Sequence, residues 1–191
     1  MAKGNPWRIM VAFMFITAIC SAFLDNVTTV LLMGPMTITI AKMMKIDPIP
    51  ILLGQIVSSN IGGTMTMIGD PPNIMIGSAA NFVFIDFIQN TGVACLIGLL
   101  VSIFGMKVVY KKKLIADEKA IEEIMKLDEK KAISDRKLMH ISVFMICAVV
   151  VAFMLHGNFG IESSSVALTA AAIMMIVGRQ DIDEVVSDVE W

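Results

Sequence analysis

The feature that most constrains the fold is a set of long uncharged apolar runs. Residues 87–106 and 138–161 contain 20 and 24 consecutive residues without Asp, Glu, Lys or Arg. A bilayer core needs about 20 apolar residues per helix. The whole chain is 57% hydrophobic, with a mean hydropathy of +0.79, whereas soluble domains are roughly 45–50% apolar. The sequence therefore predicts an all-α polytopic protein of the cell membrane, with the lipid bilayer as its first partner.

The spans and loops can be ordered by charge. Ten of the fifteen basic residues lie in 107–137, and basic loops stay in the cytoplasm. Seven acidic residues interleave with those ten, so nucleic acid is not expected as a partner. In chain order we expect a cytoplasmic start 1–8, a hairpin 9–41, a broken transmembrane helix 48–80, a span 87–106, a cytoplasmic amphipathic linker 107–137, spans 138–156 and 163–178, and a cytoplasmic segment 179–191.

The hairpin 9–41 consists of two uncharged runs of 16 residues on either side of Asp25. Arg8 and Lys42 bracket it, so we expect both of its ends in the cytoplasm. The two arms could span the membrane with an outside turn at Asp25. They could equally form a re-entrant hairpin whose tip stops inside the membrane, where irregular backbone is tolerated only if protein or water surrounds it.

The segment 48–80 contains helix-breaking residues at its centre. Glycine costs about 1 kcal/mol and proline about 3 kcal/mol in a helix interior. The sequence "GGTMTMIG" (62–69) followed by "DPP" predicts an unwound stretch between two half-helices. Asp70 would be the N-cap of the second half-helix and Pro71 its first residue, since both residue types are favoured there.

Asp25 and Asp70 allow two interpretations. Each could merely cap a helix at a water-exposed turn, and Thr28, Thr29 and Thr64 could bond back to their own helices, as Thr66 could. However, carboxylates in uncharged membrane surroundings are functional by default. Helix N-termini carry partial positive charge, and discontinuous helices mark the ion and substrate sites of secondary transporters. We therefore favour an ion or substrate site at these two motifs.

The remaining reactive residues give weaker signals. Cys20, Cys95 and Cys147 each lie in an apolar run without metal-ligand spacing, which favours buried hydrophobes over thiols that bind a soft metalloid. His140 and His156 lie at opposite ends of one predicted span. Solvated interfacial residues are favoured there over a proton relay.

Two motifs together resemble one family. "SAFLDNVTTVLLMGPMTI" (21–38) and "NIGGTMTMIGDPPNIMIGSA" (60–79) are similar to the arsenite-pump and sodium–proton-antiporter group of the ion transporter superfamily, which includes the pigmentation P protein. That group is related to the divalent-anion/sodium symporters. "KGNPWR" before the hairpin and "SDVEW" at the end also fit. The resemblance implies two inverted repeats, each with a re-entrant hairpin and an unwound helix, in a homodimer.

The resemblance also implies the site. In symporter relatives the hairpin tip reads Ser-Asn-Thr and helps to bind sodium and a carboxylate substrate, whereas here it reads Asp-Asn-Val-Thr. The added carboxylate argues for cation or proton coupling. We take sodium as the candidate ion at Asp25 and Asn26 and expect no other cofactor. The candidate ion- or substrate-binding residues are Asp25, Asn26, Thr28, Gly62, Gly63, Thr64, Gly69, Asp70 and Asn73.

Only one copy of each motif occurs, so we expect about one inverted repeat plus part of the second, from the middle of a longer transporter. The expected function is secondary active transport of an inorganic ion such as arsenite or sodium, coupled to protons or sodium. The alternatives are a citrate- or dicarboxylate-like organic-anion transporter and the membrane subunit of an ATPase-coupled anion pump. An enzyme is not expected, since no HExxH, GxSxG or paired catalytic aspartate pattern occurs.

Overall fold

The computed structural model describes residues 5–110, 114, 136–159 and 163–178. Throughout these ranges the regular secondary structure is helical, as predicted. Most of the expected linker 107–137, the segment 179–191 and residues 1–4 of the expected start lie outside the described residues. The helices are α1 (Pro6–Ser21), α2 (Asn26–Met43), α3 (Ile49–Thr64), α4 (Pro71–Ala80), α5 (Phe84–Tyr110), α6 (Arg136–Phe159) and α7 (Ser163–Gly178).

Within the described ranges, two helices are long and apolar enough to cross a membrane. They are Phe84–Tyr110, with a mean hydropathy of 2.2, and Arg136–Leu155, with 2.6. Only 11% and 6% of their most apolar stretches are buried. A core helix of a soluble protein would instead be mostly buried, so these exposed apolar surfaces fit a lipid environment.

The chain divides into two compact units, Met1–Leu127 and Asp128–Trp191. The first contains α1 to α5. The second contains α6 and α7, which pack against each other. Small side chains line the groove between these two helices, among them Ala148, Ala152 and Ala170. Small residues permit close approach of helices in membranes.

The hairpin is formed by α1 and α2, and a side chain caps each of its helices. Asn5 Oδ1 accepts hydrogen bonds from the backbone N–H groups of Trp7 (3.0 Å) and Arg8 (3.3 Å), and Pro6 follows as the first helical residue. The second helix begins directly after Asp25 and continues through Pro35. The arms contain 16 and 18 residues, or about 24 and 27 Å at 1.5 Å per residue.

The broken helix consists of α3 and α4, but its interruption is shorter than predicted. We expected residues 62–69 to be unwound, whereas α3 continues to Thr64 and the non-helical segment is 65–70. The expectation was wrong for Gly62 and Gly63 because both pack tightly against neighbouring backbone. That packing offsets the weak helix propensity of glycine.

An apolar cluster lies at the end of the first unit that is opposite the hairpin tip. It joins the starts of α1 and α3 with the ends of α2 and α5. Trp7 and Lys107 meet there, with the Lys107 Nζ 6.0 Å from the centre of the indole ring. Arg8 and Lys42 are in the first turn of α1 and the last turn of α2. The cluster consists of Ile9, Met10, Met14, Ala41, Met44, Ile46, Ile51 and Leu114.

Candidate functional site

Asp25 is the N-cap of α2. Its Oδ1 accepts hydrogen bonds from the backbone N–H groups of Val27 and Thr28, each at 2.9 Å. This is the usual N-cap arrangement, in which a side-chain oxygen satisfies N–H groups that have no partner within the helix. Both bonds end on the same oxygen, so Oδ2 takes no part in the cap. The side chain is half-buried, and Oδ2 can therefore accept a ligand without breaking the helix start.

Asn26 is joined to α3 by a side-chain pair. Its Nδ2 lies 3.1 Å from Oδ1 of Asn60. Both residues line an open groove of about 250 Å³ between α2 and α3. Ser59 is the third polar residue of this groove, and the remaining lining is apolar, formed by Val27, Val30, Leu31 and Ile56. Asn60 was absent from the sequence-based candidates, although it directly precedes the Ile-Gly-Gly of the second motif.

Side-chain donors satisfy the backbone carbonyls around the break. Asn73 Nδ2 donates to the carbonyls of Gly63 (3.1 Å) and Thr66 (2.9 Å). Thr91 Oγ1 on α5 lies 2.7 Å from the Phe87 carbonyl of its own helix, and 3.1 and 3.3 Å from the carbonyls of Thr64 and Met65. The last carbonyls of a helix need partners outside it. Asn73 therefore holds the break together through its amide nitrogen, and its role as an ion ligand stays a prediction.

Asp70 occupies the N-cap position of α4, with Pro71 as the first helical residue, as expected. Its side chain, however, makes no capping hydrogen bond, so Asp70 is the N-cap residue by position and not by a side-chain bond. Pro71 and Pro72 have no N–H to donate. The first available N–H is that of Asn73, which bonds to the backbone carbonyl of Asp70 at 2.9 Å. The half-buried Asp70 carboxylate thus has no capping role.

The three predicted site glycines are buried and make close backbone contacts. A Cβ atom on Gly62 would lie 2.1 Å from the Ala18 carbonyl oxygen. Cβ atoms on Gly63 and Gly69 would lie 2.7 and 2.6 Å from each other's carbonyl oxygens. We expected these glycines to expose backbone to a ligand. They bring α1, α3 and the break together at distances that only glycine permits, and their contact with a ligand stays a prediction.

The end of α1 is also hydrogen-bonded to α3 and to the break. Ser21 Oγ donates to the Ser59 carbonyl at 2.7 Å, and Thr66 Oγ1 donates to the Ala22 carbonyl. The Gly69 N–H then bonds to Thr66 Oγ1 at 3.1 Å. These contacts are buried. Hairpin and break therefore meet, as the broken-helix argument predicted, but through residues just before Asp25.

The other threonine candidates lie at the edge of this arrangement. Thr64 is exposed and its Oγ1 bonds back to the Asn60 carbonyl at 2.8 Å, as the capping interpretation predicted for it. Thr28 is exposed, and its backbone N–H is held by Asp25. In the sequence, Thr28 also carries the hydroxyl that is nearest to Asp25.

Below the tip, a buried polar seam runs between the hairpin and α3. Gln55 Oε1 accepts from Thr37 Oγ1 at 2.8 Å, and its Nε2 lies 3.4 Å from Thr17 Oγ1. The hydroxyls of Thr29 and Ser58 are buried nearby on the same helices without a hydrogen-bond partner. Sequence reasoning missed this seam. The signal was Gln55, the only amide in the apolar run 49–57.

The side chains at the tip offer oxygen atoms as ligands. Across the described part of the chain, no three His, Cys, Asp or Glu side chains form a cluster that could hold a metal ion. Cys20 and Cys95 are half-buried and Cys147 is exposed, all as free thiols. Hard cations prefer oxygen ligands. The tip offers one carboxylate, one amide and one hydroxyl, on Asp25, Asn26 and Thr28.

A short helical hairpin packed on an interrupted helix is an arrangement used by membrane-embedded secondary transporters. The complete sequence, residues 1–191, matches the sequence profile of the CitMHS family, described as citrate transporter. The chain belongs to this family. The match shows that this is a transporter family. It does not show the arsenite or antiporter specificity that the resemblance implied.

Individual relatives agree with this assignment. An uncharacterized transporter of Mycobacterium tuberculosis is 36% identical over 196 residues, covering 100% of this chain and 44% of the relative. A "46 kDa membrane protein" of Mycobacterium leprae is 34% identical over 191 residues, with the same coverage. The human P protein is 44% identical over 78 residues, which are 41% of this chain and 9% of that protein. The chain therefore spans less than half the length of the first two. No solved structure matches.

Proposed function

We propose that this segment forms the cation-binding half of a secondary active transporter of the cell membrane. The observation that carries the proposal is the arrangement at the tip. Asp25 caps α2 through one oxygen only, and the residues just before it are bonded to α3 and to the helix break. A coupling ion bound at the tip would therefore change contacts in both elements at once.

Charge favours a cation or proton over an anion in direct contact with the tip. Asp25 and Asp70 are carboxylates that lie next to this junction, and neither carboxylate is fully used by the fold. An isolated carboxylate in a membrane costs about 2.5 kcal/mol or more. Bound Na⁺ or a proton would remove that cost. The N-termini of α2 and α4 lie at the same junction and add partial positive charge, which suits an anionic substrate further from Asp25.

Two substrate classes fit this arrangement. The carboxylate at the tip repels organic anions, which favours an inorganic substrate such as arsenite or sodium. The description of the matched family favours a citrate-like organic anion. In both cases we propose that sodium or protons drive the transport. A third arrangement, the membrane subunit of an ATPase-coupled pump, would make transport depend on ATP.

Uptake into proteoliposomes separates these possibilities. A complete transporter that carries this segment would be reconstituted, and uptake of labelled citrate, arsenite and Na⁺ measured with an imposed sodium gradient, an imposed pH gradient, or neither. We expect one substrate to accumulate only when a cation gradient is present. Accumulation that is indifferent to both gradients, or that requires ATP, would contradict the proposal.

A further inference from the structure

Lys45 has the left-handed backbone conformation that glycine usually adopts after the end of a helix. Its φ is 56°, and it directly follows the C-cap residue of α2. The Lys45 N–H bonds to the Lys42 carbonyl at 3.1 Å. The next N–H, that of Ile46, bonds to the Ala41 carbonyl at 3.0 Å, and the two bonds together form a Schellman motif. This conformation crowds the Cβ atom of any residue except glycine, so a lysine here destabilises the end of the helix.

The other non-glycine residue with a left-handed conformation in the described ranges is of the expected type. It is Asn81, with a φ of 57°, at the end of α4, and asparagine tolerates this conformation better than lysine does. Helix electrostatics do not explain a lysine at position 45, because Lys42 already places a cation in the last turn of α2. Residues held in unfavourable backbone conformations are often functional. A role of the Lys45 side chain outside the helix would explain its presence.

Lys45 belongs to a group of four exposed cations at one end of the first unit, which we call the basic rim. Its members are Arg8, Lys42, Lys45 and Lys107. Each is adjacent in sequence to a residue that belongs to the apolar cluster or packs against it, so the cluster brings the four cations together. The segments 5–10, 41–50 and 103–110 contain a single carboxylate, that of Asp47. Four cations and one carboxylate leave this end with an excess of three positive charges.

The basic rim borders an apolar surface that is open to the surroundings. Phe104 and Val108 of α5, which lie before and after Lys107 in the sequence, are 67% and 69% exposed. The Lys107 Nζ lies 6.0 Å from the centre of the Trp7 ring. Tryptophan and basic residues are typical of the level of the lipid headgroups, whereas exposed apolar helices contact acyl chains. A molecule with a negative headgroup and apolar chains therefore complements both surfaces.

We propose that the basic rim is a docking surface for anionic phospholipids and that Lys45 contacts the phosphate of the headgroup directly. The lysine ammonium is a compact charge that binds phosphate. Each basic residue close to an anionic membrane surface adds to the attraction. The acyl chains of the bound lipid lie along α5 beside Phe104 and Val108. This inference goes beyond the proposed function and does not depend on an ion site at the hairpin tip.

Lipid-dependent thermal unfolding tests the proposal. The complete transporter that carries this segment would be purified in detergent, and its melting temperature measured with increasing mole fractions of phosphatidylglycerol or, separately, of phosphatidylcholine. A ligand that binds the folded state raises the melting temperature. We expect a saturable rise with phosphatidylglycerol, a much smaller rise with phosphatidylcholine, and none with inorganic phosphate at equal concentration. The phosphate titration distinguishes a bound lipid from a bound free anion.

Lys45→Gly should have two effects of opposite sign. Without anionic lipid it should melt about 2 °C above the wild type, because glycine adopts the left-handed conformation freely. It should also need about a fivefold higher mole fraction of phosphatidylglycerol for half of the stabilisation, the change expected for one lost headgroup contact. Lys107→Gln should likewise need more phosphatidylglycerol, without the gain in melting temperature. Lys45→Arg keeps both the charge and the strained conformation and should titrate like the wild type.

Asn81→Gly is the matched control. It introduces glycine at the other left-handed helix end without removing a charge. The phosphatidylglycerol titration of this variant should therefore remain that of the wild type.

Several results would overturn the proposal. One is equal stabilisation by the two lipids, and another is a rise with inorganic phosphate that matches the rise with phosphatidylglycerol. A wild-type phosphatidylglycerol titration in both Lys45→Gly and Lys107→Gln would contradict it, as would a loss in Asn81→Gly as large as that in Lys45→Gly. If Lys45→Gly did not melt above the wild type without anionic lipid, the left-handed lysine would not be costly, and the assignment of Lys45 to the headgroup would fail.

Discussion

Asp25→Asn should leave the fold intact and strongly reduce ion-driven transport. Asparagine caps helices about as well as aspartate, and the bonds to Val27 and Thr28 need only one side-chain oxygen. The negative charge, however, is lost. A charged contact is worth about 1.5–3 kcal/mol, so we expect uptake driven by the coupling ion to fall by about 10- to 100-fold. Gradient-driven uptake and substrate counterflow in proteoliposomes, beside thermal unfolding in detergent, provide the measurement.

Asp47→Asn is the matched control for this prediction. Asp47 Oδ1 accepts from the N–H of Ile49 at 3.0 Å at the start of α3, so it makes the same kind of bond outside the site. Both stability and transport should remain unchanged. Asp25→Ala removes cap and charge together and should also lower the free energy of unfolding by about 1 kcal/mol. If a stable Asp25→Asn variant kept wild-type coupling, the ion-binding role of Asp25 would be contradicted. Asp25 would then serve only as a cap, and Asp70 would be the remaining carboxylate candidate.

Gly62→Ala is expected to be the most destabilising single-methyl change in the first unit. The added Cβ would lie 2.1 Å from the carbonyl oxygen of Ala18 and 2.7 Å from its Cα atom. These are backbone atoms, so no side-chain rotation can relieve the overlap, and α1 and α3 must move apart. Overpacking typically costs 1–3 kcal/mol, and we expect about 3 kcal/mol here. Thermal unfolding in detergent would show a correspondingly lower melting temperature.

Two other helical glycines calibrate this effect. A Cβ on Gly105 of α5 would meet nothing within 4 Å, so Gly105→Ala should gain up to about 1 kcal/mol from helix propensity. Gly54→Ala should be intermediate, because the nearest atom is the flexible Met14 Sδ at 3.0 Å. If Gly62→Ala melts with the wild type, α1 and α3 do not pack as closely as described.

Local chemistry was enough to predict much of the architecture. The uncharged runs indicated membrane-length helices, and α5 and α6 are two of them. Asp25 was predicted as a cap because carboxylates bond readily to free N–H groups, and it caps α2. Pro71 was predicted at the first position of α4 because its missing N–H costs nothing there, and it occupies that position.

Features set by tertiary contacts could not be obtained from local rules. Glycine propensity placed the break at 62–69, but packing of Gly62 on Ala18 keeps α3 helical to Thr64. The missing side-chain bond at the N-cap residue Asp70 could not be recognised without tracing the first N–H that follows two prolines. Thr91 and Asn60 contact residues that are 27 and 34 positions away in the sequence. Sequence periodicity carries no information at such separations.

The central claim is that the hairpin tip holds a coupling cation beside the helix break. An experimental structure of a complete transporter that carries this segment, determined once in sodium and once in choline buffer, tests it most directly. We predict density for an ion in sodium alone, about 2.4 Å from Asn26 Oδ1 and from the Asp25 carboxylate. An identical tip in both buffers, with the sodium bound away from these two residues or not at all, would contradict the claim.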